Sequence, residues 1–184
     1  MSVLENLFRG QTAFTLQCAS CKDISPTYVH TLELQLEIPS GPPFNLQHAI
    51  NIHYTTQEEV EHRCAKCPHT RAMKGQKLYF APRCLVIILR RFNPFSTKKI
   101  TTDAQYPLDL DLSSSTILNS AQARYTLRSI VEHHGDSIQA GHYTATARRA
   151  DKWFHFNDST TTMLTNGTEL KALSGYLFFY ARNS

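Results

Sequence analysis

Two short cysteine pairs, Cys18-Ala-Ser-Cys21 and Cys64-Ala-Lys-Cys67, constrain this chain more than any other feature of it. A C-x-x-C turn places two thiolates on one side of a metal, and a second such turn on a distant hairpin completes a tetrahedron, the geometry of a zinc ribbon. A redox C-x-x-C or coincidence accounts for one knuckle more readily than for two. The 42 residues between Cys21 and Cys64 exceed the common zinc-finger spacing, so the ribbon is expected as an insertion built on long strands. The fifth cysteine lies in Cys84-Leu-Val-Ile-Ile-Leu89, a buried-strand pattern, and is read as a core thiol. The first ten residues carry Glu5, Asn6 and Arg9 where a signal peptide needs an unbroken apolar stretch. Export is therefore not expected, and thiolate ligands fit better than disulfides.

The rest of the composition narrows the class. With 184 residues, 41% hydrophobic and 18% charged, the chain suits one folded domain rather than disorder or low complexity. Apolar runs such as Cys84–Leu89 fall far short of the ~20 residues that span a bilayer, so no membrane partner is expected. The net charge of +4 (19 Lys and Arg against 15 Asp and Glu) is dispersed, apart from short pairs at Arg90-Arg91, Lys98-Lys99 and Arg148-Arg149. A nucleic-acid reader more typically shows a basic stripe with interleaved aromatics. A zinc-ribbon nucleic-acid binder would leave the C-terminal motifs below unexplained, and no nucleic-acid partner is expected.

The pattern along the chain is strand-rich. Gln11–Gln17 alternates into the first knuckle, and His30–Ile38 sets Leu32, Leu34, Leu36 and Ile38 against Glu33, Gln35 and Glu37, a strand with one apolar face. Ser40-Gly41-Pro42-Pro43 stops it, and Asn45 can cap a short helix over Leu46–Ile52. Further strands are predicted over Lys77–Phe80, Leu85–Phe92 (buried on both faces), Ala123–Glu132, His142–Arg149, Lys152–Phe156 and Tyr176–Arg182. Ser113–Thr116 and Thr160–Thr162 read as loops. The class is α+β, dominated by antiparallel strands.

One constellation carries chemistry. Gly141-His142-Tyr143 begins a strand, and Trp153-Phe154-His155-Phe156-Asn157-Asp158 ends the next one. Hairpin neighbours bring His142 within reach of Asn157 and Asp158, and an imidazole oriented by an amide or carboxylate is the base half of a nucleophilic triad. Alone, a histidine beside an acid is more often an ordinary hydrogen-bonded pair.

The joint order of motifs is more specific than any one of them. Leu7-Phe8-Arg9-Gly10-Gln11 leads to the first knuckle, and Leu32-x-Leu34-x-Leu36-x-Ile38-Pro39 and the second knuckle follow. Next come Pro82-Arg83-Cys84-Leu85-Val86-Ile87-Ile88-Leu89-Arg90-Arg91-Phe92, Tyr106-Pro107-Leu108-Asp109-Leu110, and Tyr125-Thr126-Leu127 running to His133-His134-Gly135. Ala140-Gly141-His142-Tyr143-Thr144-Ala145, Trp153-x-x-Phe156-Asn157-Asp158 and Gly175-Tyr176-Leu177-Phe178-Phe179-Tyr180-Ala181-Arg182 close the series. In this order they resemble the C-terminal half of the catalytic domain of ubiquitin-specific proteases, the thiol deubiquitinases.

That resemblance implies the fingers and palm of a papain-like fold: a fingers-like zinc ribbon over about 11–80 and a palm over about 81–184, as one partial domain spanning 1–184. It implies that His142 is the general base, that Asn157 orients it, and that Asp158 is the assisting acid beside it. His133, in the loop preceding the base, together with Gly141 and Tyr143, is expected to line the cleft for the ubiquitin tail. Cys18, Cys21, Cys64 and Cys67 match the ligands of one structural zinc at the fingertip. Ubiquitin or ubiquitinated proteins are the implied partners, and the cytoplasm or nucleus the implied compartment. The family's nucleophile lies in an N-terminal box rich in Gly, Asn and Thr before a Cys, followed by a helix and carried by a helical thumb, and these residues contain no such box. The chain is therefore expected to be a portion of a deubiquitinase, inactive alone, whose Cys box is borne by a missing segment or another chain. The alternative is a non-catalytic pseudo-protease that binds ubiquitin or a partner.

Overall fold

A computed structural model describes residues 2–39, 41, 43–92, 98–116, 123–137, 139–165, 170 and 174–183. The chain begins with α1 (Val3–Phe8), β1 (Gly10–Cys18), β2 (Ile24–Thr31), β3 (Leu34–Glu37), β4 (Phe44–Asn45), α2 (Leu46–Thr55), β5 (Glu58–Glu61) and β6 (Arg71–Phe80). It continues through β7 (Cys84–Arg90), β8 (Ala104–Gln105), β9 (Asp109–Asp111), a 3-10 turn at Ser113–Ser115 and β10 (Arg124–His134). The last elements are β11 (His142–Arg149), β12 (Lys152–Asn157), β13 (Thr160–Leu164) and β14 (Gly175–Arg182). A four-stranded sheet is ordered β2-β1-β6-β5, and an eight-stranded sheet runs β13-β12-β11-β10-β14-β7-β3, with β9 also pairing β10. Among the described strand pairs only β3 on β7 and β4 on β8 are parallel, so the mostly antiparallel α+β class expected from the sequence is what forms.

Asn45 caps α2 as its side chain predicts, its Oδ1 accepting the His48 amide at 2.9 Å. The helix runs three residues past Ile52, because Leu46, Ile50 and Tyr54 recur every fourth position and are all buried. Three expectations need correction. The stretch His30–Ile38 is two strands: the chain leaves the small sheet at Thr31, bends at Leu32 and enters the large sheet at Leu34. Alternation survives the bend, but Leu32 is 54% exposed whereas Leu34, Leu36 and Ile38 are buried. Thr160–Thr162 is not loop but part of β13, an edge strand for which β-branched threonines are well suited. The strand read as Leu85–Phe92 spans Cys84–Arg90, with Leu85, Ile87 and Leu89 buried and Val86 and Ile88 only half-buried. Of the break after Ile38, Ser40 and Pro42 lie outside the described residues.

The large sheet has two unlike faces. One packs Leu85, Ile87, Leu89, Leu127, Ile130, Phe178 and Tyr180 into the core with α2 and the loops around β4, β8 and β9. On the other, register puts Ile88, Leu177, Val131, Ala145 and Phe156 in one row across five strands. That row is half-buried to exposed, with Phe156 and neighbouring Met163 at 40% and 45%. Among the described residues, no helix is long and apolar enough to cross a membrane.

Candidate functional site

At the tip of the small sheet, β1 delivers Cys18 as its last residue, the β1–β2 turn carries Cys21, and the connection from β5 to β6 carries Cys64 and Cys67. Lys22, at φ 60°, tightens the first turn, whose closure is Lys22 N–H donating to Cys18 O at 3.1 Å. In the second knuckle the Lys66 amide donates to Cys64 Sγ at 3.3 Å, and Lys66 Nζ reaches Asp23 at 2.7 Å, tying one knuckle to the other. The four sulfurs lie within 4.8 Å of one another, with Cys18–Cys67 and Cys21–Cys64 both at 3.6 Å. A tetrahedron of bonds near 2.3 Å has edges of about 3.8 Å, so this set can hold one metal ion. Backbone amides, that of Cys21 first, draw the Cys18 thiol down to about 6. Cys21 goes the other way: the Asp23 amide lowers it, but neighbouring sulfurs, Cys64 foremost, and burial push it up to about 12. Crowded thiols cannot all ionise unaided, and a divalent cation among them reverses that balance.

The second site lies at one end of the large sheet. β11 and β12 form a hairpin with Arg149 opposite Lys152, closed by Ala150, at φ 51°, and Asp151. The next turn, from Asn157 to Thr160, puts Asp158 at φ 49°. Aspartate tolerates this left-handed conformation better than most residues, which accounts for its position independently of chemistry. His142 and Asn157 project from the same face on neighbouring strands, and His142 Nε2 lies 2.6 Å from Asn157 Oδ1. An amide oxygen only accepts, so Nε2 carries the proton and Nδ1 holds the free lone pair. His142 is exposed. Among the described residues Asp158 makes no hydrogen bond to His142 and stands beside the pair.

His133 sits differently from the sequence reading. It is the penultimate residue of β10 rather than part of a loop, directly opposite Tyr143, and only 4% exposed. Its ring meets Phe92 edge-on at 5.4 Å and Tyr143 at 4.9 Å, and burial, with Lys99 and His134 adding to it, pushes its pKa down. Tyr143 covers it from outside and is itself 55% exposed. Strand-level reading also left out three residues of this neighbourhood. Lys99 Nζ donates to the His133 carbonyl, and His134, paired with His142, has Nε2 2.8 Å from the Thr144 hydroxyl. No local sequence signal distinguishes Lys99, because its role depends on a strand that arrives from more than thirty residues away.

Gly141 explains itself by contact. A Cβ built there would clash with His133 Nε2 and meet the His134 carbonyl at 2.6 Å. The backbone before His142 therefore presses on the His133 ring in a way only glycine permits. We expect Gly141→Ala to cost about 2–3 kcal/mol by overpacking, read as a lower urea midpoint with an unchanged slope. A midpoint within error of the parent would contradict this packing.

Cys84 is far from this site. It pairs with Ala181, which pairs with Thr126, whereas His142 pairs with His134, eight residues further along β10. At ~3.3 Å per residue that is roughly 26 Å. Burial also raises the Cys84 thiol.

Comparison with known proteins shows the family and the fold. A family model described as ubiquitin carboxyl-terminal hydrolase matches residues 1–180. Human ubiquitin carboxyl-terminal hydrolase 3 is 30% identical over 208 aligned residues, covering 99% of this chain and 39% of that protein. Ubiquitin carboxyl-terminal hydrolase 20 of Arabidopsis thaliana is 31% identical, covering 97% of this chain and 26% of that protein. Among solved structures, the Ubp8/Sgf11/Sus1/Sgf73 DUB module of SAGA, bound to ubiquitin aldehyde, superposes with a TM-score of 0.88 at 24% identity, covering 100% of this chain and 43% of that one. The chain thus spans about two fifths or less of the relatives it matches. It belongs to the ubiquitin carboxyl-terminal hydrolase family.

Proposed function

We propose that this chain is the fingers and palm of a thiol-dependent deubiquitinase, hydrolysing the (iso)peptide bond after the C-terminal glycine of ubiquitin. The observation that carries this reading is the 2.6 Å contact between His142 Nε2 and Asn157 Oδ1 in a member of this family. In this reading His142 Nδ1 takes the proton of a cysteine thiol, the thiolate attacks the carbonyl, and the imidazolium returns the proton to the departing amine. Asn157 holds the ring in the tautomer this needs without adding negative charge, which suits a histidine facing a thiolate. Asp158 assists from beside the pair, and Gly141 and Tyr143 line the path of the ubiquitin tail, with His133 packed beneath Tyr143 and holding it in place. Zinc is the metal proposed for Cys18, Cys21, Cys64 and Cys67, since four thiolates suit it and leave no open position for water. The compartment proposed is cytoplasm or nucleus, where thiols stay reduced.

The nucleophile comes from outside these 184 residues. Four of the five cysteines gather at the fingertip, and Cys84 lies at the wrong end of the sheet. The half-exposed apolar row through Val131, Ala145 and Phe156 is where the segment bearing that cysteine packs. A pseudo-protease that only binds has no use for an oriented imidazole, which favours the catalytic reading.

The test uses the chain by itself. Titrating ubiquitin into isotopically labelled protein is expected to shift the resonances of His133, Gly141 and Tyr143, whereas a ubiquitin C-terminal amide substrate stays uncleaved. Absence of any shift at ubiquitin saturation overturns the assignment of the ubiquitin path, and labelling of Cys84 by an electrophilic ubiquitin probe overturns the assignment of the nucleophile.

A further inference from the structure

At the base of the small sheet, α1 borders an open pocket of ≈ 570 Å³ lined by Glu5, Arg9, His30, Tyr79, Phe80 and Arg83, among others. Its floor is built by register: Gln11 on β1 pairs with His30 on β2 and with Phe80 on β6, so the three stand in one row. A bulge opposite Gln11 and Thr12 inserts Tyr79 into β6, and its ring lies 4.6 Å from that of Tyr28. Phe80 is left 55% exposed over this floor.

The two arginines are anchored through their backbones, and their charges are left without an ion pair among the described residues. Arg9 closes α1, its amide donating to Glu5 O at 3.0 Å, and Arg83 is held at the entry to β7, its carbonyl accepting the Arg182 amide at 2.8 Å. Neither guanidinium takes part in an ion pair among the described residues, although six other such pairs form. The one acid in the pocket, Glu5, directs its carboxylate to the Ser2 amide at 2.7 Å to complete the capping box of α1. Its charge touches Arg9 only as a minor influence. Two arginines and a histidine around an aromatic floor match a ligand with two or so negative groups and one apolar side chain. They do not form the extended stripe that a polyanion needs.

We infer that this pocket is a docking site for an acidic peptide segment carrying an aromatic or large aliphatic side chain, its carboxylates on Arg9 and Arg83 and its apolar group on Tyr79 and Phe80. The site is distinct from the hydrolytic one: Arg83 precedes Cys84, at the end of β7 remote from His142. The function it serves is recruitment of a partner to the base of the fingers while the His142 end stays free.

The test uses the whole chain and a fluorescein-labelled peptide, Gly-Glu-Asp-Phe-Asp-Glu-Gly. Saturable binding is expected, weakening with added salt and falling about tenfold in the double variant Arg9→Gln, Arg83→Gln, as two partly exposed ion pairs would give. Phe80→Ala is expected to weaken binding by several-fold, and Arg9→Lys, Arg83→Lys to retain most of it, which separates loss of charge from loss of fold. The inference is overturned if the amide version Gly-Gln-Asn-Phe-Asn-Gln-Gly binds as tightly, if the glutamine variant binds unchanged, or if inorganic phosphate displaces the peptide at equal concentration. Tighter binding of a short single-stranded DNA than of the peptide overturns it as well. The deubiquitinase reading is untouched by any of these outcomes.

Discussion

Stripping the metal from this chain with a strong chelator is expected to unfold the four-stranded sheet, and the purified protein is expected to carry one zinc per chain. The reason lies in how little that sheet buries. Every residue of β2 from Ile24 to His30 is exposed, and three of the four positions of β5 are exposed. On β1 and β6 the fully buried apolar side chains beyond the contact with α2 are small, Ala13 and Ala72 among them. A sheet whose outer strands expose Ile24, Tyr28 and Val29 lacks the hydrophobic gain that normally offsets chain entropy. Structural zinc in comparable sites contributes on the order of 10–16 kcal/mol to folding, as much as the whole stability of an ordinary domain. Cys18→Ser removes the one ligand that is also the last residue of a sheet strand, and it is expected to mimic chelation. Metal analysis and far-UV circular dichroism check this together, with urea denaturation resolving two transitions, fingers before palm. Zinc-free protein with an unchanged spectrum and midpoint would show that backbone pairing alone holds the sheet.

The cysteine cluster was legible because C-x-x-C is a local signal whose geometry is nearly fixed by the turn, so that pairing the knuckles needed only the assumption of one shared ion. His142 and Asn157 were legible for a related reason: they flank a single hairpin, and strand parity over so short a span leaves little freedom. What escaped the sequence depends on contacts between distant segments. Leu32 continues the alternation of Leu34 and Leu36, yet the chain changes sheets there, a tertiary choice that periodicity cannot register. The burial of His133 needed Phe92 and Tyr143 placed around it, and the value of Gly141 became visible only once that ring lay against it. The motif resemblance pointed to these residues and implied their roles, whereas the packing of His133 between Phe92, Tyr143 and Gly141 came from the structure.

Replacing the matching two-fifths of human ubiquitin carboxyl-terminal hydrolase 3 with this chain gives a protein in which the hydrolytic reading can be measured directly. That relative aligns across 99% of the chain, so the fingers and palm exchange as a unit. The chimera is expected to cleave a ubiquitin C-terminal amide, and His142→Gln is expected to lower kcat by about a thousandfold or more, within the range assigned to general acid–base catalysis and above that of a positioning contact. Asn157→Ala should cost less, ~10- to 100-fold, because it loosens the imidazole without removing the base. Asn157→Asp should restore much of the rate, since a carboxylate oxygen accepts the same Nε2 proton across the 2.6 Å contact. Asp158→Asn is expected to have a small effect, as the asparagine tolerates the same φ of 49° and no hydrogen bond to His142 is lost. The ordering His142, then Asn157, then Asp158 is the signature of a base, its orienting group and a neighbour in a turn. A chimera that cleaves equally well with glutamine at position 142 would remove His142 from the chemistry and leave this end of the sheet a binding surface.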